Sequence, residues 1–152
     1  MNIMNSELQN AQTTIPRAEV SSGCWTGKRV LIVDDMDFNR VMLALCLGKT
    51  GLIVEEARNG FEAVKLYTED PDLYSMILMD IEMPVMNGLD ATRAIRSSGK
   101  STAQDIPIIA ISSRTLVEDL EACQNAGMNA HVPKPVDLKK LIRLMSYWFG
   151  EI

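Results

Sequence analysis

The chain has 152 residues, of which 47% are hydrophobic and 23% charged, with a formal net charge of -5 and a pI near 4.9. That length supports one substantial core rather than two, and the composition excludes a disordered or fibrous chain. The acidic balance argues against direct nucleic-acid binding and suits a protein that handles cations.

Residues 1–27 come first, rich in Asn, Gln, Ser and Thr, with Pro16 and neither helical nor strand periodicity. They read as a flexible tail or linker, and the sequence leaves open whether Trp25 packs on the folded domain. The first ten residues lack the basic cluster and apolar block of a secretory signal. No stretch approaches the roughly 20 apolar residues needed to span a bilayer, so the chain is expected in the cytoplasm, without membrane contact. Cys24, Cys46 and Cys123 are widely spaced and read as reduced thiols.

From Lys28 onward, the second unit (residues 28–152), short apolar runs alternate with helical patterns, the mark of strand-helix units and a parallel sheet. The spacing predicts strands over 29–34, 53–57, 75–80, 106–112 and 130–133. The first, third and fourth are nearly continuous apolar runs, as in central strands covered on both faces. Pro133 cannot donate to a ladder and assigns the fifth strand to an edge. Helices are predicted over 38–47, closing at Gly48 and Gly51, over 61–67 after Asn59-Gly60, and over 89–96 after Asn87-Gly88, with Gly99 ending it. A fourth covers 116–125 before Gly127. Asp137 caps the last, to about residue 149, with Leu138, Leu141, Ile142 and Met145 on one face.

In an open parallel sheet, ligands bind at the carboxyl ends of the strands. The first predicted strand ends in Asp34-Asp35, the third in Asp80 and the fourth in Ser112-Ser113; Lys134 comes just after the fifth. Three converging carboxylates repel one another unless a cation neutralises them or their pKa values rise. Mg2+ prefers oxygen ligands, takes one or two carboxylates directly and retains waters. Asp35 and Asp80 are the candidate direct ligands, Asp34 acts through water, and the Glu82 carbonyl offers another oxygen. With the metal bound, the Asp80 carboxylate can attack phosphorus. Lys134 can pair with one phosphoryl oxygen and Ser112 with another. Singly, each residue has a plainer reading as a cap, a turn or a surface charge; their coincidence at one sheet edge carries the functional one.

Val30-Leu31-Ile32-Val33-Asp34-Asp35, Ala57-Arg58-Asn59-Gly60-Phe61-Glu62-Ala63, the run from Met79 through Gly88, Ile106 through Ser112, Ala126-Gly127-Met128 and Lys134-Pro135 together resemble the receiver domains of two-component response regulators. The resemblance covers residues 28–149. It implies a doubly wound five-stranded parallel sheet, flavodoxin-like, of order 2-1-3-4-5, with helices on both faces. It also implies phosphorylation of Asp80 and magnesium held by Asp34 and Asp35. Ser112 and Lys134 become switch and phosphoryl-stabilising residues, with a cis peptide before Pro135. The implied donor is a phosphohistidine on a sensor histidine kinase or a phosphotransfer protein. The downstream protein partner would meet a face made of the fourth helix, fifth strand and fifth helix, and phosphorylation could bring homodimerisation. Asn39-Arg40 and the stretch from Gly88 to Arg96 look most like receivers of hybrid sensor kinases.

The family's Tyr or Phe on the fifth strand is replaced by His131. Its plainer reading is a half-buried packing ring; the sharper one is a switch residue that swings inward when Ser112 moves, biased by protonation. Glu82 and Arg114 each lie two places beyond a key residue and could form an ion pair that gates dephosphorylation. The domain is thus expected to be a phosphoacceptor rather than an enzyme, limited to self-phosphotransfer and autodephosphorylation. The alternative is a magnesium-dependent phosphohydrolase with an aspartyl-phosphate intermediate. It generally needs an Asp two residues after the nucleophile, where this chain has Glu82. A degenerate receiver or a flavodoxin-like cofactor binder fits less well, since all acceptor-site residue types are present and no Gly-rich loop comes after the first strand.

Overall fold

Val, Ile, Leu and Met dominate five short strands: β1 (Arg29–Val33), β2 (Ile53–Ala57), β3 (Met76–Asp80), β4 (Ile108–Ser112) and β5 (Ala130–Pro133). Between and after them run α1 (Asp37–Gly48), α2 (Gly60–Glu69), α3 (Gly88–Arg96), α4 (Val117–Ala126) and α5 (Leu138–Trp148), with a 3-10 turn at Pro71–Leu73. The structure, a computed structural model, describes residues 25–150; most of the expected tail, including Cys24, lies outside them.

The strands are all parallel in the order β2-β1-β3-β4-β5, as the doubly wound reading anticipates. Every residue of β3 and β4 is buried, whereas β2 at one edge is partly open and Pro133 ends β5 at the other. Alternate side chains feed two cores. Leu31, Ile77, Met79 and Ala110 pack with Tyr67, Ile95 and Cys123 of α2, α3 and α4. Val30, Leu78, Ile109 and Val132 pack with Leu47 of α1 and Leu141 and Met145 of α5.

The helix starts obey the sequence chemistry. Asn59, Asn87 and Asp137 each accept hydrogen bonds from the first-turn amides of α2, α3 and α5. Gly127 closes α4 in the left-handed conformation, φ 105°, which a side chain would resist. The start of β4 differs from expectation, and the open question of Trp25 is answered. β4 begins at Ile108 rather than Ile106, because Pro107 has no N–H to pair and the Ile106 carbonyl accepts from Arg96 Nη1 at 2.7 Å. Trp25, on the tail side of the expected boundary, is fully buried. Its N–H donates to the Thr50 carbonyl at 2.8 Å, and its ring meets Phe149 edge-on at 5.1 Å.

Arg96 gathers the amino-terminal ends of β4 and β5. It donates to Ala103 O, Ile106 O, Gly127 O and the Asn129 side chain, all within 3.0 Å.

Candidate functional site

Each strand of a parallel sheet ends at the same edge, so the turns after β1, β3, β4 and β5 converge. Asp34 succeeds β1 and extends its pairing by one bond, its N–H donating to Ala57 O at 3.1 Å. Its buried carboxylate accepts from Met36 N at 2.9 Å, Asn39 Nδ2 at 3.2 Å and Lys134 Nζ at 3.2 Å. Asp35 is exposed beside it. Asp80 ends β3, is buried, and lies 3.4 Å from Lys134 Nζ through Oδ2. Asp34, Asp35 and Asp80 each offer a carboxylate oxygen, and the three lie within 4.8 Å of one another.

Gly88 makes room for this arrangement. A Cβ there would sit 2.0 Å from the Asp80 carbonyl oxygen, so α3 approaches the end of β3 only with glycine at its first position. Ser112 ends β4 one register step beyond Ile111, the partner of Asp80. Its buried hydroxyl accepts from Arg114 N–H at 3.1 Å. Lys134 succeeds β5, its N–H donating to Ser112 O at 3.0 Å, and the Lys134–Pro135 peptide is cis. Glu82 and Arg114 form an ion pair with both side chains more than half exposed. With Asp35, Met83 and Asn87 they line an open cleft of about 520 Å3.

Burial and neighbouring charge oppose each other at Asp80 and at Lys134. Burial pushes Asp80 up to about 6, with Asp34 adding to the rise and Lys134 opposing it. Burial works to lower Lys134, but Asp80 and then Asp34 outweigh it and hold the ammonium more firmly protonated than usual. The set is hard, oxygen-only and net negative, which fits a small divalent cation such as Mg2+; Lys134 alone balances only part of the charge.

His131 is more enclosed than the half-buried packing ring of its plainer reading, its side chain being buried at 3% exposure. It faces away from Ala130 and Val132, which point toward α1 and α5. Nε2 has no hydrogen-bond partner among the described residues. Burial lowers its pKa, while a hydrogen bond to the Arg114 backbone and the Asp119 carboxylate act the other way.

A family model for the response regulator receiver domain matches residues 30–146. This chain belongs to that family. The receiver is 42% identical over 115 residues to a two-component response regulator of Oryza sativa subsp. japonica, a match over 74% of this chain and 87% of that protein. It is 33% identical over 131 residues to a hybrid signal transduction histidine kinase of Dictyostelium discoideum, covering 84% of this chain but only 8% of the kinase. Among solved structures, the receiver domain of a Pseudomonas aeruginosa sensor histidine kinase, with magnesium coordinated in its active-site cleft, superposes with a TM-score of 0.74 at 34% identity. That match covers 82% of this chain and 99% of the other. The receiver domain of a Saccharomyces cerevisiae response regulator, co-crystallised with its histidine phosphotransfer protein, gives 0.74 at 28% identity, covering 83% and 91%.

Two receiver residues at the site escape a reading of the sequence in their structural roles. Asn39 and Arg40 stand out there only through the family resemblance, yet Asn39 bonds the Asp34 carboxylate and Arg40 is buried. The available signal is a single basic residue on a helix that otherwise presents Val41, Met42, Leu43 and Leu45.

Proposed function

We propose that this receiver accepts a phosphoryl group on Asp80 from a phosphohistidine donor, with Mg2+ bound at the acidic cluster. The observation that carries the reading is the convergence of Asp34, Asp35 and Asp80 with Lys134 at one sheet edge. Asp35, Asp80 and the Glu82 carbonyl would hold the ion directly and Asp34 through water. Bound there, Mg2+ would offset the charge of nucleophile and incoming phosphoryl oxygens and keep Asp80 ionised. An Asp80 carboxylate oxygen forms the new bond to phosphorus as the bond to the donor imidazole breaks, and Lys134 takes up charge on a phosphoryl oxygen. Exposed Phe38, Val41, Met42 and Leu45 on α1 give the donor an apolar surface beside the site.

The switch begins at Ser112. Its hydroxyl moves to the new phosphoryl oxygens and releases Arg114 N–H, and Arg114 is also the backbone partner of His131. The change thereby reaches the surface of α4, β5 and α5, where a downstream protein would bind and receivers could pair. Autodephosphorylation needs water through the cleft spanned by Glu82 and Arg114. The same pair supports the switch over the phosphohydrolase alternative, because the Glu82 carboxylate is engaged by Arg114 rather than poised as an acid-base group.

Incubation with acetyl phosphate and Mg2+, followed by mass spectrometry, tests this. One phosphoryl group on Asp80 is expected, and none in Asp80→Asn. Uptake that survives in Asp80→Asn would overturn the assignment, and many turnovers on small phosphate esters would favour the enzyme.

A further inference from the structure

We propose that Arg40 is a positioning residue for the magnesium site. Its guanidinium fixes the peptide joining Asp34 to Asp35, while Asp37 and Glu56 offset its charge. This rests on reading the acidic cluster as that site.

The three carboxylates are not equally constrained by the fold. Asp80 is the last residue of β3, paired with Ile111. Asp34 retains a ladder bond to Ala57. Asp35 lies past the ladder and is exposed, so the direction of its side chain depends on the peptide before it. Arg40, at the end of the first turn of α1, donates from Nη1 to the Asp34 carbonyl oxygen at 2.7 Å. That oxygen belongs to the Asp34–Asp35 peptide. Asn39 meanwhile holds Asp34 Oδ2 at 3.2 Å, so two adjacent residues of α1 secure the side chain and the main chain of the same aspartate.

An unbalanced guanidinium beside an acidic cluster would repel a cation. Here Nε donates to Glu56 Oε1 of β2 at 3.2 Å, and Nη2 pairs with Asp37. Two carboxylates therefore face one guanidinium, and the field of Asp34, Asp35 and Asp80 remains available to the metal. The choice of arginine comes from its shape. Its planar fork reaches three partners on three parts of the chain at once, which a lysine ammonium cannot do. Groups that orient metal ligands in this way affect binding without touching the ion.

Calorimetric titration of the full chain with Mg2+ and, separately, Ca2+ tests the inference in the parent, Arg40→Met, Arg40→Lys and Glu56→Gln. Each protein is measured at a temperature where circular dichroism shows it folded. Mg2+ affinity is expected to fall about 10- to 100-fold in both Arg40 variants. Ca2+ affinity should fall less, because Ca2+ accepts variable geometry and Mg2+ demands a near-ideal octahedron. Glu56→Gln keeps the bond to Asp34 and should preserve the Mg2+ to Ca2+ ratio. A merely structural role would lower the melting temperature and leave both affinities at parent values; that result, or an equal loss for both ions, overturns the inference. Should Arg40→Met fold too poorly, Arg40→Lys and Glu56→Gln decide it. A parent that binds no Mg2+ removes the magnesium reading and this inference together, whereas parent binding with unaltered Arg40 variants removes the inference alone.

Discussion

Burial acts on Asp80 and His131 through the same physics with opposite chemical results: each is pushed toward its neutral form, so the acid rises to about 6 and the base falls. For His131 the consequence is a stability term. Its pKa in the fold lies below the unfolded reference of about 6.5, so the unfolded chain binds the extra proton first. The contribution is therefore complete above about pH 6.5 and is lost as the pH falls through that value toward the folded one. The groups facing the ring are the Arg114 backbone and the Asp119 carboxylate of α4. His131→Phe should flatten the fall in urea-derived stability between pH 7 and pH 5.5 relative to the parent. Asp80 titrates in part of the same window with the opposite sign, but it is common to both proteins, so the difference between the curves isolates His131. Curves that run parallel would show that the imidazole is not held neutral by the fold.

The join between β3 and α3 depends on a missing side chain. In most helices Gly→Ala adds up to about 1 kcal/mol of stability. At Gly88 the added Cβ meets the Asp80 carbonyl oxygen at 2.0 Å, a backbone atom that cannot swing aside. Gly88→Ala should therefore destabilise the receiver, by about 1–3 kcal/mol as for other overpacked sites, and weaken phosphoryl uptake because Asp80 moves with its carbonyl. Urea denaturation checks the sign directly; a more stable variant would show that α3 is free to retreat. The loop containing Asn87-Gly88 is legible as a helix start, as are Asn59 and Asp137, because capping is written in residues close together in sequence. The start of β4 is only partly so: Pro107 marks it locally, whereas Arg96 reaches the Ile106 carbonyl across ten residues, a contact that local periodicity does not carry.

Across the molecule, Trp25 extends the folded body beyond the boundary suggested by composition. Polar residues surround it in sequence, so pattern gives it no partner; folding supplies Thr50 and Phe149 from distant parts of the chain. Trp25→Ala should cost about 3–5 kcal/mol, in line with truncation of large buried aromatics, measured by urea denaturation. A loss below about 1 kcal/mol would return the boundary to Lys28. The acidic site, in contrast, is readable almost whole. A parallel sheet brings all its strand ends to one edge, so Asp34, Asp35, Asp80, Ser112 and Lys134 can be gathered from strand assignments alone. Arg40 cannot, because its partners are a main-chain oxygen and carboxylates on α1 and β2, and only the folded chain brings these together.

The five side-chain bonds of Arg96 lie at the end of the sheet away from Asp80, where they bind the approaches to β4 and β5 to the foot of α3. The receiver is thus built like a cantilever, anchored at its floor and loaded at its tip. Were Ser112 to move as proposed, the rearrangement would start at the rim and meet this anchor at the base, so the output would be steered sideways toward α4 rather than through the floor of the sheet.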